Sequence, residues 1–104
     1  MKQPLIGQAD EAAIARMKHE NKSGIFFIES NGHIAYFRNP TRHDVNAALA
    51  VADPEKPLAV AEKFGDLLWI AGSREILTND EMFVGAAVQL RTKLNGVPAT
   101  LGNL

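Results

Sequence analysis

The segment that decides the fold is IFFIESNGHIAYFRNPTRHDVNAALAVAD, residues 25–53. Two apolar runs, residues 25–28 and 33–37, flank the dipeptide Asn31-Gly32. Asparagine followed by glycine tolerates the two positive φ angles of a type I′ turn. The segment therefore predicts a β-hairpin that leads directly into a helix.

Both faces of this hairpin are apolar. Side chains alternate across a strand, so Ile25 and Phe27 lie on one side while Phe26 and Ile28 lie on the other. A two-stranded ribbon is at best marginally stable in water. This one needs helices on both faces, more strands, or a partner chain, and the only candidate for a third strand is a short extended piece at residues 75–77.

The helices are predicted from capping residues and apolar spacing. Proline at position 40 cannot donate to a strand ladder, so it ends the second strand. Thr41 and Asp44 then form a shortened capping box. Asp10 is a second N-cap, and Thr78 with Glu81 forms another capping box. These signals predict helices over residues 10–22, 41–52, 58–70 and 78–94, with either a kink or a new helix start at Asp53-Pro54.

Each of the last three helices has a predicted buried stripe. The stripe of the second helix consists of Val45, Ala48, Leu49 and Ala52. The stripe of the third consists of Leu58, Ala61, Phe64 or Gly65, and Leu68, and that of the last consists of Phe83, Ala86 or Ala87, Leu90 and Leu94.

Length and order of elements predict one small α+β domain. A chain of 104 residues is enough for a single domain with one modest core. We expect an antiparallel β-hairpin packed with about four α-helices over residues 9–95. Residues 1–8 are predicted to be a flexible N-terminal arm, and residues 96–104 a flexible C-terminal tail.

The composition argues against several classes of function. The chain has 46% hydrophobic and 22% charged residues, as soluble globular proteins do. Its 11 basic and 12 acidic residues nearly balance, so no strong field attracts nucleic acid or anionic lipid. Cysteine is absent, which excludes disulfides and fits a reducing compartment. No window approaches the about 18 apolar residues of a membrane span. The sequence predicts a cytoplasmic protein that binds neither nucleic acid nor membrane.

No residue pattern predicts catalysis, a metal or a cofactor. The three histidines, His19, His33 and His43, are not at metal-ligand spacing, and isolated imidazoles are usually structural. No serine lies in the G-x-S-x-G context of a nucleophile elbow, and the glycines are too scattered to cradle a phosphate. We therefore expect a protein that is not an enzyme.

Several residues are candidates for contact with another protein. Arg38 and Arg42 flank a proline and are placed to clamp a carboxylate; alternatively they pair with Asp44 or Glu29 on the surface. Trp69 lies in an apolar cluster, where tryptophan is more often a core residue than a contact. It is still a stronger contact candidate than any charged residue, because tryptophan is enriched at interface hot spots. The predicted partner-binding residues are Ile25, Phe27, Tyr36, Arg38, Arg42, Leu68 and Trp69.

The order of these signals resembles a phage protein family. The signals are AYFRNPTR at residues 35–42, Asp53-Pro54, Leu68-Trp69 with Gly72, Glu75-Ile76, Asn79-Asp80-Glu81, Phe83 and Gln89-Leu90. Over residues 24–94 this order resembles the small tail-assembly-chaperone-like proteins of long-tailed bacteriophages and prophages. The first helix and the C-terminal end depart from that pattern.

The resemblance implies a non-enzymatic protein of the host bacterial cytoplasm. Such a protein binds the tail tape-measure protein, or another tail morphogenesis protein, during assembly, is absent from the finished virion, and is a possible homo-oligomer. Two alternatives stay open. One is a structural tail-tube or connector component retained in the virion, and the other is a small ligand- or metal-binding regulatory domain.

Overall fold

An antiparallel sheet organises the computed structural model, which describes residues 3–104. Its strands are β1 (Ile25–Ser30), β2 (His33–Arg38) and β3 (Trp69–Gly72), in the spatial order β1-β2-β3. The helices of the described residues are α1 (Glu11–Glu20), α2 (Arg42–Leu49), α3 (Ala59–Leu68), α4 (Glu75–Thr78) and α5 (Asp80–Leu94). The predicted α+β class is confirmed.

The hairpin forms as predicted. Ser30 pairs with His33, so the connection is the two-residue turn Asn31-Gly32. Both turn residues have positive φ angles, 51° for Asn31 and 80° for Gly32, which is the requirement of a type I′ turn.

The third strand lies elsewhere than predicted. Residues 75–77 belong to the short helix α4, so the predicted third strand there is wrong. The strand is β3, whose first two residues, Trp69 and Ile70, we assigned to the end of the third helix. It pairs with β2 through Tyr36↔Ala71. A short apolar run fits a buried helix end and a buried strand equally well, because periodicity alone does not separate them.

Helix starts are closer to prediction than helix ends. Asp10 caps α1 by accepting a 2.8 Å hydrogen bond from the Ala13 N–H. The capping box of Thr41 and Asp44 at the start of α2 is confirmed. The cap of α5 is Asn79, which accepts from the Met82 N–H at 3.1 Å, and not Thr78. Because α2 ends at Leu49, the predicted burial of Leu49 is wrong: this residue is 49% exposed.

The connection between α2 and α3 also differs from prediction. No helix starts at Asp53-Pro54; residues 53–58 form turns, and α3 begins at Ala59. Ala52 is exposed, since it lies beyond the end of α2. No helix in the part of the chain that the structure describes combines the length and the apolar character needed to cross a bilayer.

The main core lies between one face of the sheet and the helices α2, α3, α4 and α5. The predicted stripes of α3 and α5 are confirmed, since both face this core. The largest of its fully buried side chains are Phe37, Phe64, Leu68, Ile76 and Leu90.

The opposite face of the sheet carries a smaller cluster. Met17 of α1 packs here with Ile34 and Tyr36 of β2, and Ile14 and Ile25 are partly buried against them. The chain therefore covers most of both hairpin faces itself. Phe27 is the exception, with 58% of its surface exposed.

Part of the predicted N-terminal arm pairs with the hairpin. The Ile6 N–H donates to the Gly32 carbonyl at 2.8 Å, and the Ile34 N–H donates to the Ile6 carbonyl at 2.9 Å. Residues 1 and 2 of that arm lie outside the described residues. Residues 97–104 are exposed and have no regular secondary structure, while the boundaries predicted for arm, domain and tail stay predictions.

Gly72 ends β3 in a position that excludes a side chain. Its φ angle is 114°, and a Cβ atom would lie 2.6 Å from the Ile34 carbonyl oxygen. We expect Gly72→Ala to lower the free energy of unfolding by about 1–3 kcal/mol, measured by urea denaturation. Gly85→Ala is the matched control, because a Cβ there meets nothing within 4 Å and the residue lies inside α5. Gly85→Ala should raise the free energy of unfolding by about 0.5–1 kcal/mol. Equal changes in this free energy at the two sites would contradict the prediction.

Candidate functional site

Arg38 is engaged inside the protein. It lies at the end of β2, and its guanidinium binds both carboxylate oxygens of Asp44, with Nη1–Oδ2 at 2.6 Å and Nη2–Oδ1 at 2.8 Å. Nη2 also donates to the Leu67 carbonyl at 3.1 Å. Two roles were predicted for Arg38, clamping a carboxylate of a partner or pairing with Asp44 or Glu29. The structure shows the pair with Asp44.

Asp44 is buried and fully hydrogen-bonded. Only 3% of its surface is exposed, and its Oδ2 atom also accepts from the Thr41 N–H at 2.8 Å and from the Thr41 hydroxyl at 2.9 Å. The Arg38 hydrogen bonds hold the pKa of Asp44 well below its usual range. In return, the hydrogen bond to Asp44 raises the pKa of Arg38. This pair joins the end of β2, the start of α2 and the end of α3.

A histidine, a serine and a glutamate meet where β2 begins. The His33 Nδ1 atom lies 2.7 Å from the Ser73 Oγ atom, and His33 Nε2 lies 3.6 Å from Glu75 Oε2. The sequence separation of 40 residues between His33 and Ser73 hides this contact from any local motif.

The order Ser–His–Glu is that of a nucleophile, a base and an orienting acid. Here, however, Ser73 is only 9% exposed and His33 only 8%, so the hydroxyl is not presented in an open cleft. The Ser73 N–H donates to the Ile34 carbonyl at 2.9 Å and so does not point at a developing oxyanion. The geometry fits a structural link between β2 and the loop after β3. The expectation that the protein is not an enzyme stays a prediction.

The other histidines, His19 and His43, are exposed on α1 and α2. Among the described residues, no three His, Asp or Glu side chains come together in a way that could hold a metal ion.

The predicted partner-binding residues do not form one surface. Two of them require correction, because Leu68 is fully buried and Tyr36 is only 5% exposed. The Tyr36 hydroxyl accepts a 3.1 Å hydrogen bond from the Ala9 N–H, which ties the segment before α1 to the sheet. Arg42 is exposed at the start of α2, and Ile25 is partly buried in the smaller cluster.

Trp69 is partly buried on the main-core face of β3. Its ring meets Phe37 edge-on at a centroid distance of 5.8 Å. The Arg74 guanidinium lies over the indole, 4.7 Å from the ring centroid. Trp69 is thus partly buried against the core, and the Arg74 guanidinium covers one side of its ring.

Sequence reasoning missed a groove between α3, α4 and α5. Its volume is about 360 Å³, and Arg74 lies at its edge. A single-helix pattern cannot reveal it, because three elements contribute. Its apolar lining includes Leu58, Leu77 and Val84, and its acidic lining consists of Glu62, Asp66 and Asp80.

The outer edge of β1 is the second candidate surface. The Asn39 N–H donates to the Gly24 carbonyl at 3.0 Å, so this pair belongs to the hydrogen-bonded set of the antiparallel ladder. Such pairs alternate, which turns the backbone groups of Ile25, Phe27 and Glu29 away from β2. Within residues 3–104, the sheet order leaves this side of β1 as an edge.

Comparison of the chain with family models, curated proteins and solved structures found no match in any of the three. The resemblance to tail-assembly chaperones therefore stays a prediction from the order of residues. Function has to be inferred from the surfaces described above.

Asp44→Asn tests the buried ion pair. The variant leaves the Arg38 charge without its carboxylate, and we expect the free energy of unfolding at neutral pH to fall by about 3 kcal/mol. The folded-state pKa of Asp44 is lowered, so the wild-type contribution is complete above the unfolded-state pKa of about 3.9 and is lost as the pH falls below it. The stability difference between wild type and variant should shrink in that acidic range, measured by urea denaturation at several pH values.

Asp66→Asn is the matched control. Asp66 pairs with Arg74 at 3.5 Å, but both side chains are more than half exposed. Its replacement should change stability by less than about 1 kcal/mol. A stability difference for Asp44→Asn that stays constant from neutral to acidic pH would show that the charge of Asp44 does not contribute.

Proposed function

We propose that this chain is a non-enzymatic binding protein of the tail-assembly-chaperone kind, acting in the host bacterial cytoplasm. Its client is a helical segment of a tape-measure protein or of another tail morphogenesis protein. The observation that carries the proposal is the groove between α3, α4 and α5, which combines apolar lining with carboxylates. Helix-in-groove binding uses this combination: an apolar stripe enters the groove and charges at its rim fix the orientation.

The apolar side chains that line the groove are accessible to a client. Val84 is 56% exposed on α5, and Leu58 and Leu77 are partly buried on the facing elements. Val84 lies off the stripe that α5 turns toward the core, so its exposure does not result from a poorly packed helix. A client helix would place apolar side chains from successive turns over these residues.

The charges favour a basic client. Glu62 and Asp66 lie one turn apart on α3, and Asp80 is the first residue of α5. Arg74 compensates only part of this charge, because its contact with Asp66 is long and exposed. Lysine and arginine beside the apolar stripe of the client would therefore be favoured, and binding should weaken as salt increases.

A structural component retained in the virion is the second candidate. The observation that favours it is the unpaired edge of β1, because strand edges are a common means of assembly between chains. The two functions differ in where the protein is found. Mass spectrometry of purified particles should detect a structural component and should not detect a chaperone.

Val84→Lys tests the groove. The change replaces an exposed apolar side chain with a charge that repels a basic client, so we expect at least about a tenfold loss of affinity. The measurement is co-expression with the tape-measure protein of the same tail gene cluster. Pull-down and titration of a fluorescent client peptide then follow.

Val88→Lys is the control, since Val88 is the same residue type, one turn further along α5, and 61% exposed, but it does not line the groove. The affinity of the Val88→Lys variant for the client should stay within about threefold of the wild-type affinity. Wild-type binding that neither variant weakens would place the client elsewhere, and absence of any complex with wild type would reject the function.

A further inference from the structure

We infer that the edge of β1 is an interface between two copies of this chain. The two β1 strands pair antiparallel about a two-fold axis at Phe27, so that two three-stranded sheets become one continuous sheet. This inference uses none of the residues that line the groove and does not rest on the proposed function.

Backbone geometry makes the edge self-complementary. Ile25, Phe27 and Glu29 are the residues whose N–H and C=O groups point away from β2. With Phe27 opposite Phe27 of the second copy, Ile25 of each chain lies opposite Glu29 of the other. All three pairs then exchange two backbone hydrogen bonds each, so every outward group of these residues finds a partner. A self-matching patch of this kind defines an isologous, closed dimer.

The exposed side chain of Phe27 fits the same arrangement. Helix α1 packs through Ile14 and Met17 on Ile34 and Tyr36, which leaves Phe27 58% exposed at the edge of the sheet. In the dimer, the two phenylalanines become direct cross-strand neighbours and cover each other.

The charges of β1 favour antiparallel over parallel pairing. They also favour a second copy of β1 as the strand that pairs with this edge. Glu29 is the only charged side chain of β1. A parallel in-register pairing would bring the two Glu29 carboxylates side by side, whereas the antiparallel register sets each opposite Ile25 of the second copy. Lys22, exposed in the turn three residues before Ile25, is then at the same end of the paired strands as that carboxylate. Edge strands that avoid pairing usually carry lysine or proline, and β1 has neither.

Single cysteines test the register directly, because the chain contains no cysteine. In the proposed dimer, the two Cα atoms at position 27 lie about 5.5 Å apart, within the range that a disulfide spans. Phe27→Cys should therefore form a covalent dimer under mild oxidation, seen by intact mass. The two Cα atoms at position 29 lie about 14 Å apart, so Glu29→Cys should stay monomeric under the same conditions.

A double variant completes the design. Ile25→Cys combined with Glu29→Cys should cross-link, since each position faces the other in the second copy. Val88→Cys, exposed on α5, is the control for random collision. Cross-linking of Glu29→Cys at the rate of Phe27→Cys, or cross-linking of Phe27→Cys no faster than of Val88→Cys, would overturn the inference.

Reversible association is measured on the unmodified chain. Sedimentation equilibrium should show dimers, and Phe27→Lys should weaken the dimer at least about tenfold, because it sets two ammonium groups opposite each other. Circular dichroism checks that Phe27→Lys is folded, and Val88→Lys should dimerise like wild type. A wild-type chain that stays monomeric at millimolar concentration overturns the inference. Phe27→Lys should leave binding in the groove unchanged, and Val84→Lys should leave the dimer unchanged, so the two proposals fail separately.

Discussion

The whole structure depends on covering a hairpin that is apolar on both faces. One face is closed by α2, α3, α4 and α5, which form the main core with the sheet. The other is closed by α1 and the segment before it, through a smaller cluster around Met17 and Tyr36. The chain also adds β3 beside β2, which gives β2 a partner on both sides and buries most of it. Within β1 the cover is incomplete at Phe27, whose side chain stays 58% exposed.

Polar contacts hold the covering elements in place. Arg38 and Asp44 fix where the hairpin, α2 and α3 meet, and Asp44 caps the helix with the same carboxylate. At the opposite end of β2, the contact between His33 and Ser73 joins the start of β2 to the loop after β3. Each of these side chains has a hydrogen-bond partner, as buried polar groups need. The hairpin thus has one polar anchor at each end and apolar packing between them.

Local signals were sufficient for much of the fold. The Asn31-Gly32 turn, the Thr41 capping box and the stripe of α5 depend on residues close in sequence, and each was predictable. The strand β3 was not, because its apolar run is compatible with the helix that precedes it. This run becomes a strand because it pairs with the side of β2 that faces away from β1, and no local sequence pattern describes that pairing.

The candidate surfaces were harder to predict than the fold. Trp69 and Leu68 have the composition of an interface, but tertiary packing places Leu68 in the core and covers Trp69 with Phe37 and Arg74. Phe27 was predicted to bind a partner because its hairpin face is apolar, and that role stays a prediction. Its exposure depends on where α1 packs, which the sequence pattern does not show. The groove needs three elements and therefore could not be seen in any one of them.

The position of the single tryptophan has a practical consequence for spectroscopy. The indole of Trp69 is shielded on one side by Arg74, and Arg74 also lines the groove and contacts Asp66. A basic client that pairs with Asp66 would compete with this guanidinium and so change the surroundings of the indole ring. We therefore expect the emission wavelength of the unlabelled chain to respond when the groove is occupied.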